Sequence, residues 1–320
     1  LPLMHDDSLR GKHHELNYKS ALNFRAQTHK SLLKRLNTNK TVGPFLWTGD
    51  IDDLPFSDCA INSLGAVPYK LEPDRARACD DSAINAAISP PHFKQPAMQQ
   101  LRSEAFPGCS WSKSDIAAAF PTMNLCQDDL PWLMFAWCAP EDTEFKGTDQ
   151  DCLYVHTHGN FGPRPWPYEF SMLMLFVNLA AHATGIDLPA AFLDDNIHCD
   201  TMDRLETTAP EYHAFLQRAG MPDKPVKREL LLHMGDLLGR WFNGISMTLS
   251  IPQDKIDTLQ GLLRAHRKDP RCSFTSLSSL LGFWEFCSDL LPWFMKAFAC
   301  NAYRQRERLR KANKDAKLWS

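Results

Sequence analysis

Two acidic motifs contain the residue types that hold divalent metal ions. Asp194 and Asp195 are adjacent, between apolar flanks, in Phe192-Leu193-Asp194-Asp195, and Asp115 precedes Phe120 by five residues. Converging carboxylates repel one another, and Mg²⁺ relieves that repulsion because it prefers a few carboxylates together with substrate phosphates. Two such ions about 4 Å apart form the clamp used for in-line phosphoryl displacement. An Asp-Asp pair alone is common in surface turns, so the motifs indicate this chemistry only in combination.

Short strands and an apolar helix must position these acids. The pattern predicts a strand over 109–116, an apolar helix over 168–184 that follows a proline, and a hairpin over 190–199. Adjacent carboxylates on a strand point to opposite faces, but at a hairpin turn both can approach one site. We therefore expect Asp194 and Asp195 at the turn of the hairpin.

The rest of the chain is mixed α and β at first and helical at its end. We predict a helix over 20–36, a hairpin of strands 64–69 and 75–79 joined by a turn at 72–74, and further strands at 133–138, 153–157 and within 237–251. Thr208-x-x-Glu211 is a candidate capping box that would open another helix. Beyond Pro252 the apolar spacing is helical, so we expect a boundary near residue 252.

The net charge of −3 over 320 residues excludes a uniformly basic nucleic-acid coat and conceals an asymmetry. Residues 1–40 carry a charge of +5, and residues 304–317 also carry +5. The remainder is therefore strongly acidic. This distribution predicts a polyanion contact at the ends of the chain and an acidic centre that binds something else, such as metal ions.

The ten cysteines contain no C-x-x-C pair, which disfavours a zinc ribbon or a redox motif and favours reduced thiols inside the cell. The largely apolar stretch 170–177 is far shorter than the roughly 20 residues of a membrane span. No signal peptide is visible, and the chain opens with Leu1. We expect a piece of a longer intracellular protein, cytoplasmic or nuclear, without a membrane partner.

Taken in order, the motifs resemble those of reverse transcriptases, most closely of tyrosine-recombinase retrotransposons of the DIRS type. Ser114-Asp115 through Phe120 resembles the first palm motif, and Phe192 to Asp195 the third. The segment 161–170, a Phe-Gly loop leading through prolines into a helix, is similar to the second. Pro163 and Pro165 depart from the small or hydroxyl residues usual in that family. Asn196 and His198 also depart from the pattern that follows the acids.

Other segments extend the resemblance over roughly residues 18–305. They are 42–45 before the fingers and 65–70 in the fingers, Arg77 to Asn85 after them, 225–230 and 237–239 late in the palm, and 249–255, 279–282 and 290–292 in the thumb. The resemblance implies an α+β right-hand polymerase fold, with fingers, a palm whose antiparallel sheet packs on helices, and a helical thumb. The implied boundaries are an N-terminal extension 1–60, fingers 61–108 and 129–165, palm 109–128 and 166–250, and thumb with basic tail 251–320.

The resemblance also implies a two-metal nucleotidyl transfer. Asp115 and Asp194 would hold two Mg²⁺ ions, for which Mn²⁺ can substitute, with Asp195 as an outer or alternate ligand. The backbone carbonyl of Ile116 would complete the shell of one ion. The partners implied are an RNA or DNA template with its primer, dNTPs, and ribonuclease H and recombinase modules that lie outside this chain.

The dNTP site is implied by the same resemblance. Lys70 and Arg77, with Arg75 as the alternative, would grip the triphosphate, and Phe161 and Gly162 would face the nucleotide. Lys227 would protonate the pyrophosphate, although Lys224 and Arg228 are close enough to replace it. Phe120 would exclude the ribose 2′-hydroxyl, unless it is simply a core residue. Leu238 and Gly239 would form the turn that steadies the primer end, where glycine permits close backbone approach.

These implications predict an RNA-directed, and also DNA-directed, DNA polymerase of a retroelement. Two alternatives stay open. The first is an RNA-dependent RNA polymerase, which Phe120 argues against because such enzymes need room for a ribose. The second is a decayed or domesticated domain that binds nucleic acid without catalysis, which the three intact acids disfavour.

Overall fold

The computed structural model describes residues 11–69, 72–81, 85, 91, 93, 97–137, 152–268, 273–288 and 299–318. These residues form a mixed α and β protein with separate sheets. The chain divides into two compact units. The first comprises residues 1–101, 112–198 and 206–230, and the second comprises 102–111, 199–205 and 231–320. Each unit is therefore assembled from segments that are far apart in the sequence.

The strands in chain order are β1 (Lys12–His14), β2 (Thr41–Leu46), β3 (Cys59–Tyr69), β4 (Glu72–Asp81), β5 (Ser110–Asp115), β6 (Met134–Trp137), β7 (Cys152–His156), β8 (Ala190–Phe192), β9 (Asp195–Asp200), β10 (Glu229–Leu232), β11 (Met234–Leu237), β12 (Arg240–Asn243) and β13 (Thr248–Ser250). The helices are α1 (Lys19–Asn23), α2 (Arg25–Asn37), α3 (Ala97–Glu104), α4 (Trp166–Ala183), α5 (Met202–Arg218), α6 (Gln253–Lys268), α7 (Phe274–Ser288) and α8 (Cys300–Leu318).

A six-stranded sheet lies in the first unit. Its order is β1-β3-β6-β7-β2, with β4 paired to β3. Both faces of β6 are buried, because successive side chains point to opposite sides of the sheet. Phe135 and Trp137 pack in one apolar cluster, and Met134 and Ala136 pack in another. Leu32 of α2 joins the first of these clusters. The burial of both faces explains why β6 is continuously apolar rather than alternating with polar residues.

The predicted hairpin of strands 64–69 and 75–79 is present, with a different turn. β3 and β4 pair in antiparallel fashion, and Tyr69 pairs with Glu72 after a register shift at Pro68. The prediction of a turn at Glu72-Pro73-Asp74 was wrong, because these residues belong to β4. The register shift lets the strand pairing continue beyond the proline, which itself lacks a ladder donor.

A four-stranded sheet of order β10-β5-β9-β8 contains the acidic motifs. In the first unit, Phe170 of α4 and Tyr212 of α5 pack in a cluster that includes Ile116. Tyr212 donates a hydrogen bond of 2.6 Å to Asn178 Oδ1, and Asn178 Nδ2 donates one of 3.2 Å to Asn196 Oδ1. These buried bonds join α5, α4 and β9.

The second unit contains an antiparallel meander of β11, β12 and β13 and the C-terminal helices. α6 begins at Gln253, where the sequence predicts the change to helical structure. Leu277 and Leu281 of α7 are buried, with Leu259 and Leu262 of α6 packed against their cluster. Over the described ranges, no helix combines the length and apolarity that crossing a bilayer requires. The cysteines described as free thiols are Cys59, Cys109, Cys126, Cys152, Cys199, Cys287 and Cys300.

Candidate active site

The predicted hairpin places its first acid in the turn. Phe192 pairs with Asp195, so Leu193 and Asp194 form the two-residue connection between β8 and β9. Leu193 has φ = 52°, in the left-handed region that a side chain with a Cβ rarely adopts. Such a conformation costs about 1 kcal/mol or more and persists only where surrounding contacts enforce it. The turn is therefore held in a strained form next to both acids.

A backbone hydrogen bond joins the two acidic motifs. The Ile116 N–H donates to the Asp194 carbonyl over 2.9 Å. Asp115, the last residue of β5, is buried with 6% of its surface exposed. The strand end and the hairpin turn therefore meet at Asp115 and Asp194.

A third segment closes the site from the other side. The Ala117 N–H donates to the Pro222 carbonyl, and the Lys224 N–H donates to the Asp115 carbonyl, each over 2.8 Å. Between these bonds, Ile116 and Asp223 form an antiparallel bridge. We call residues 222–228 the lysine strap, because this segment brings two lysines to the acids.

Lysines contact the acids directly. Lys224 and Lys227 each bind a different carboxylate oxygen of Asp115, and the Lys227 contact measures 2.6 Å. Lys113, two residues before Asp115 on β5, lies 3.2 Å from Asp195 Oδ1. The charge of the acidic site is thus balanced locally by ammonium groups from two segments.

The pKa shifts place the acids within electrostatic range of one another. Burial raises the pKa of Asp195, which Asp194 and Asp115 raise further, whereas Lys113 lowers it. The hydrogen bond to Asp115 raises the pKa of Lys227, and Asp194 and Asp195 add to this increase, against a lowering by partial burial. A proton is therefore held on Lys227 by the combined field of the carboxylates.

A buried clasp fixes the shape of the lysine strap. Arg228 Nε donates to Asp223 Oδ2 over 2.6 Å, and a terminal guanidinium nitrogen donates to Oδ1 over 2.8 Å. His213 Nε2 lies 3.7 Å from Asp223 Oδ2. Burial raises the pKa of Asp223, but the Arg228 hydrogen bonds and the His213 and Arg228 charges outweigh it, so the pKa is lowered overall. The sequence analysis did not predict this clasp. The signal that could have indicated it is an acid and an arginine, Asp223 and Arg228, on either side of Pro225.

Phe120 lies in a cluster of aromatic rings. Its ring packs edge-to-face on Phe161, with centroids 5.2 Å apart, and on Phe170, with centroids 5.9 Å apart. It is half-buried and borders the core of the first unit. A Cβ added to Gly159 would overlap the Phe120 carbonyl oxygen, so this glycine permits a close approach of two chain segments. The cluster brings the first and second predicted motifs together at Phe120 and Phe161.

The segment 159–165, which we call the aromatic loop, is held by side-chain amides. Gly162 has φ = 126°, a conformation suited to glycine. Asn85 Nδ2 donates to the Gly162 carbonyl over 3.0 Å, and the Arg164 N–H donates to Asn85 Oδ1 over 2.7 Å. Asn160 Oδ1 accepts a bond of 3.1 Å from Trp166 Nε1. The loop that precedes α4 is thus tied at both of its ends.

The remaining predicted site residues are Lys70, Arg77, Leu238 and Gly239. Lys70 lies outside the described residues, and for Arg77 the structure describes only its backbone, which pairs with Val67 in the β3–β4 hairpin. Leu238 and Gly239 connect β11 and β12 in the second unit, with φ of 54° and 78°. The Gly239 N–H donates to Asp236 Oδ1 over 2.7 Å. Two consecutive positive φ values fit a tight hairpin turn, as the sequence predicts.

The donor chemistry of the site fits magnesium. Within the described ranges, no three His, Cys, Asp or Glu side chains are arranged to hold one metal ion, and both oxygens of Asp115 contact lysines. The donors available are nevertheless the carboxylates of Asp115, Asp194 and Asp195 with the Ile116 carbonyl, which are the hard oxygen ligands that Mg²⁺ prefers. Burial is the main cause of the raised pKa of Asp195, and the smaller contribution from Asp194 and Asp115 is a repulsion that a divalent cation would relieve.

No protein-family model matches the chain, and no curated protein sequence matches it. Solved structures do. The foamy viral protease-reverse transcriptase dRH in complex with double-stranded DNA is 14% identical, with a TM-score of 0.65 over 94% of this chain and 46% of that one. The foamy viral protease-reverse transcriptase in complex with an RNA/DNA hybrid is 15% identical, with a TM-score of 0.64 over 96% and 36%. Its complex with double-stranded DNA is 14% identical, with a TM-score of 0.63 over 94% and 55%.

The chain therefore has a reverse-transcriptase-like fold. It spans about half or less of the length of these neighbours. At this level of identity the likeness concerns the fold alone. The motif order in the sequence and the likeness of the fold agree at this coarse level.

Proposed function

We propose that the chain is the polymerase part of a reverse transcriptase, an RNA-directed and also DNA-directed DNA polymerase that adds dNTPs to a primer 3′-hydroxyl. The observation that supports this most directly is the junction of the two acidic motifs. The Ile116 N–H bonds to the Asp194 carbonyl, next to the buried carboxylate of Asp115. Acids from a strand end and from a hairpin turn thereby converge within a fold similar to that of reverse transcriptases.

In this proposal Asp115 and Asp194 hold two Mg²⁺ or Mn²⁺ ions, Asp195 is an outer ligand, and the Ile116 carbonyl completes one shell. Bound metal supplies activation of the 3′-hydroxyl and neutralisation of the departing pyrophosphate. Lys113 holds Asp195 over 3.2 Å. That contact favours the charged form of Asp195 against the effect of burial.

Lys227 is the proposed proton donor to the leaving group. Its side chain is 55% exposed and its ammonium lies on Asp115, so rotation of the side chain would carry the ammonium proton to the leaving pyrophosphate. Lys224, which also binds Asp115, is the alternative. Arg228 is the weaker candidate because both carboxylate oxygens of Asp223 hold its guanidinium.

The remaining roles complete the dNTP and primer sites. Lys70 and Arg77 grip the triphosphate, Phe161 and Gly162 face the nucleotide, and Phe120 excludes a ribose. Leu238 and Gly239 steady the primer end. The packing of Phe120 between Phe161 and Phe170 supports its role, because a ring fixed on two sides cannot move away from a 2′-hydroxyl.

We infer the right-hand arrangement with the boundaries predicted above, from an N-terminal extension through fingers and palm to the thumb. The motif resemblance supports an origin in a retroelement of the DIRS type, with ribonuclease H and recombinase modules in the parent protein. The nucleic acid present in the similar solved structures supports a primer and template as partners. The chain's own basic ends are the proposed phosphate contacts.

One observation favours a second candidate, a nucleic-acid-binding domain without catalysis. Both carboxylate oxygens of Asp115 are engaged by lysines, which compensate the charge of this acid without metal. In that case the strap would serve only to neutralise the acids.

Primer extension on a homopolymeric RNA template, with Mg²⁺ or Mn²⁺ and either dNTPs or NTPs, tests the proposal. We expect extension with dNTPs and little with NTPs. Binding of the same primer and template, measured at several salt concentrations, is the companion measurement. Binding without extension would support the second candidate, and efficient extension with NTPs would indicate an RNA polymerase.

A further inference from the structure

The aromatic loop has an unusual deficit of backbone donors. Prolines occupy positions 163, 165 and 167, and proline has no N–H. Between Gly162 and Trp166, the Arg164 N–H is therefore the single backbone donor that the chain provides. A loop of this composition can make few backbone hydrogen bonds of its own, so a group from elsewhere must hold it.

Asn85 is that group. Its Oδ1 accepts the Arg164 N–H over 2.7 Å, and its Nδ2 donates to the Gly162 carbonyl over 3.0 Å. The residue is 7% exposed, so both bonds form out of contact with bulk water. One amide thus binds a donor and an acceptor on either side of Pro163, as a paired strand would.

The positions of these bonds connect Asn85 to the nucleotide site. Gly162 follows Phe161 directly, and the Phe161 ring packs edge-to-face on Phe120. Asn85 belongs to a different chain segment from both rings. Gly162 also precedes a proline, which restricts its backbone further. The loop therefore presents Phe161 from a backbone fixed on its C-terminal side by Asn85.

We propose that Asn85 is a positioning residue that holds the aromatic loop, through Gly162 and Arg164, so that Phe161 keeps Phe120 in place for the choice between deoxyribose and ribose. This inference rests on the proposed function. Asn85 acts through the backbone of the loop and does not itself take part in the reaction. Its importance follows from Pro163 and Pro165, which leave the loop few backbone donors of its own.

The test compares Asn85→Ala with a matched control, Asn17→Ala. Asn17 makes an equivalent pair of bonds in the same unit, since its Nδ2 donates to the Ala136 carbonyl over 2.8 Å and its Oδ1 accepts the Leu64 N–H over 2.9 Å. Neither bond of Asn17 involves the aromatic loop. A purely structural role would make the two variants alike.

Single-nucleotide kinetics with dGTP and GTP give the first readout. We expect Asn85→Ala to raise the KM for dGTP by about tenfold and to lower the preference for dGTP over GTP by about tenfold, with kcat changed much less, because misplacement of a positioning group weakens alignment. Asn17→Ala should keep the preference of the wild-type protein. Equal preference in all three proteins overturns the inference.

Hydrogen exchange gives a readout independent of activity. A peptide over residues 162–168 contains few amides because of its prolines, and we expect the Arg164 amide to exchange faster in Asn85→Ala but not in Asn17→Ala. Unchanged exchange at Arg164 also overturns the inference. If Asn85→Ala loses its fold, Asn85→Asp decides, because it keeps the acceptor for Arg164 and removes the donor to Gly162. A wild-type sugar preference in Asn85→Asp would contradict the proposal.

The two proposals fail in different ways. If the wild-type protein does not extend a primer, the proposed function is rejected, and with it the role of Asn85 in sugar choice. If the wild-type protein extends but Asn85→Ala keeps its preference for dGTP, only the role of Asn85 is rejected.

Discussion

Arg228 and Asp223 hold each other through two parallel hydrogen bonds, five residues apart on either side of the strap turn. The turn between them, Pro225–Lys227, is a short 3₁₀ helix. The side chain of Asp223 is 2% exposed, whereas that of Arg228 is 31% exposed. The geometry fixes the spacing of Lys224 and Lys227, which reach the two oxygens of Asp115. Catalytic competence should therefore depend on a pair that contacts no substrate.

Arg228→Ala tests this dependence. Its loss leaves a buried carboxylate unpaired, so we expect the free energy of unfolding to fall by about 2–3 kcal/mol. We also expect extension to fall by about tenfold, because the strap no longer fixes both lysines. Urea denaturation and primer extension measure the two effects. Arg310→Ala is the control, since its pair with Glu307 is exposed and worth less than about 1 kcal/mol. Equal stability of the two variants would contradict the clasp.

Asp115→Asn and Asp194→Asn should each lower extension by about a hundredfold or more, because neutral amides are poor ligands for Mg²⁺ and stabilise less charge. Binding of primer and template should change little, since phosphate contacts elsewhere dominate affinity. Asp195→Asn should cost less, as expected of an outer ligand. Rates and binding isotherms for the three variants test the ranking. Extension at the wild-type level by Asp115→Asn or Asp194→Asn would reject the metal assignment.

Phe120→Val should raise incorporation of NTPs at least tenfold relative to dNTPs, which corresponds to about 1.4 kcal/mol. The smaller side chain removes the proposed clash with the 2′-hydroxyl, and a clash discriminates more strongly than a missing contact. The ratio of kcat/KM for dGTP and GTP measures the change. Phe176→Val serves as the control because Phe176 is 64% exposed on α4. An unchanged ratio in a folded Phe120→Val protein would return Phe120 to a packing role.

Acid should destabilise the first unit through His198. Burial lowers the pKa of His198 to about 4, and its Nε2 lies 3.1 Å from the Asp187 carbonyl. The unfolded chain binds a proton at this residue below about pH 6.5, whereas the folded chain binds it only near pH 4. Stability therefore falls as the pH drops through this window, by roughly 3 kcal/mol in total.

The pH dependence of unfolding in wild type and His198→Gln isolates this contribution. The other titratable groups near His198, including His213 with its pKa lowered by burial, are present in both proteins. Between pH 7 and pH 4, the unfolding free energy of the wild type should fall by roughly 3 kcal/mol more than that of His198→Gln. A constant difference would show that His198 gains its proton in the folded state as readily as in the unfolded chain.

Local patterns in the sequence predict much of the fold around the site. The hairpin of β8 and β9, the strand that ends at Asp115 and the apolar helix α4 were all predictable, because apolar periodicity and proline or glycine signals mark them. The helix predicted over 20–36 is interrupted at Phe24 between α1 and α2. This interruption has no glycine or proline to signal it.

The predicted start of α5 was also wrong, for a physical reason. The helix begins at Met202, with the Thr201 hydroxyl accepting the Arg204 N–H over 3.4 Å, so Thr208 and Glu211 lie inside it. Two capping signals compete in this segment, and the earlier one prevails. Propensity alone could not rank them.

The supporting contacts were the least predictable part. The Asp223–Arg228 clasp and the amide of Asn85 depend on which distant segments meet, and this is decided by tertiary packing. The acids themselves could be identified because their chemistry demands a fixed residue type. A supporting residue can be replaced by any group that makes the same bonds, so its type alone does not reveal it.

Gly159 gives the proposed nucleotide site a mutational target without a functional group. A methyl group there would collide with the Phe120 carbonyl oxygen and with Met123. In a library selected for altered sugar choice, we expect several different residues at position 120. At position 159 we expect glycine alone, because every other residue adds atoms. The sequences open to this fold are thus limited at Gly159 by a residue that has no side chain to vary.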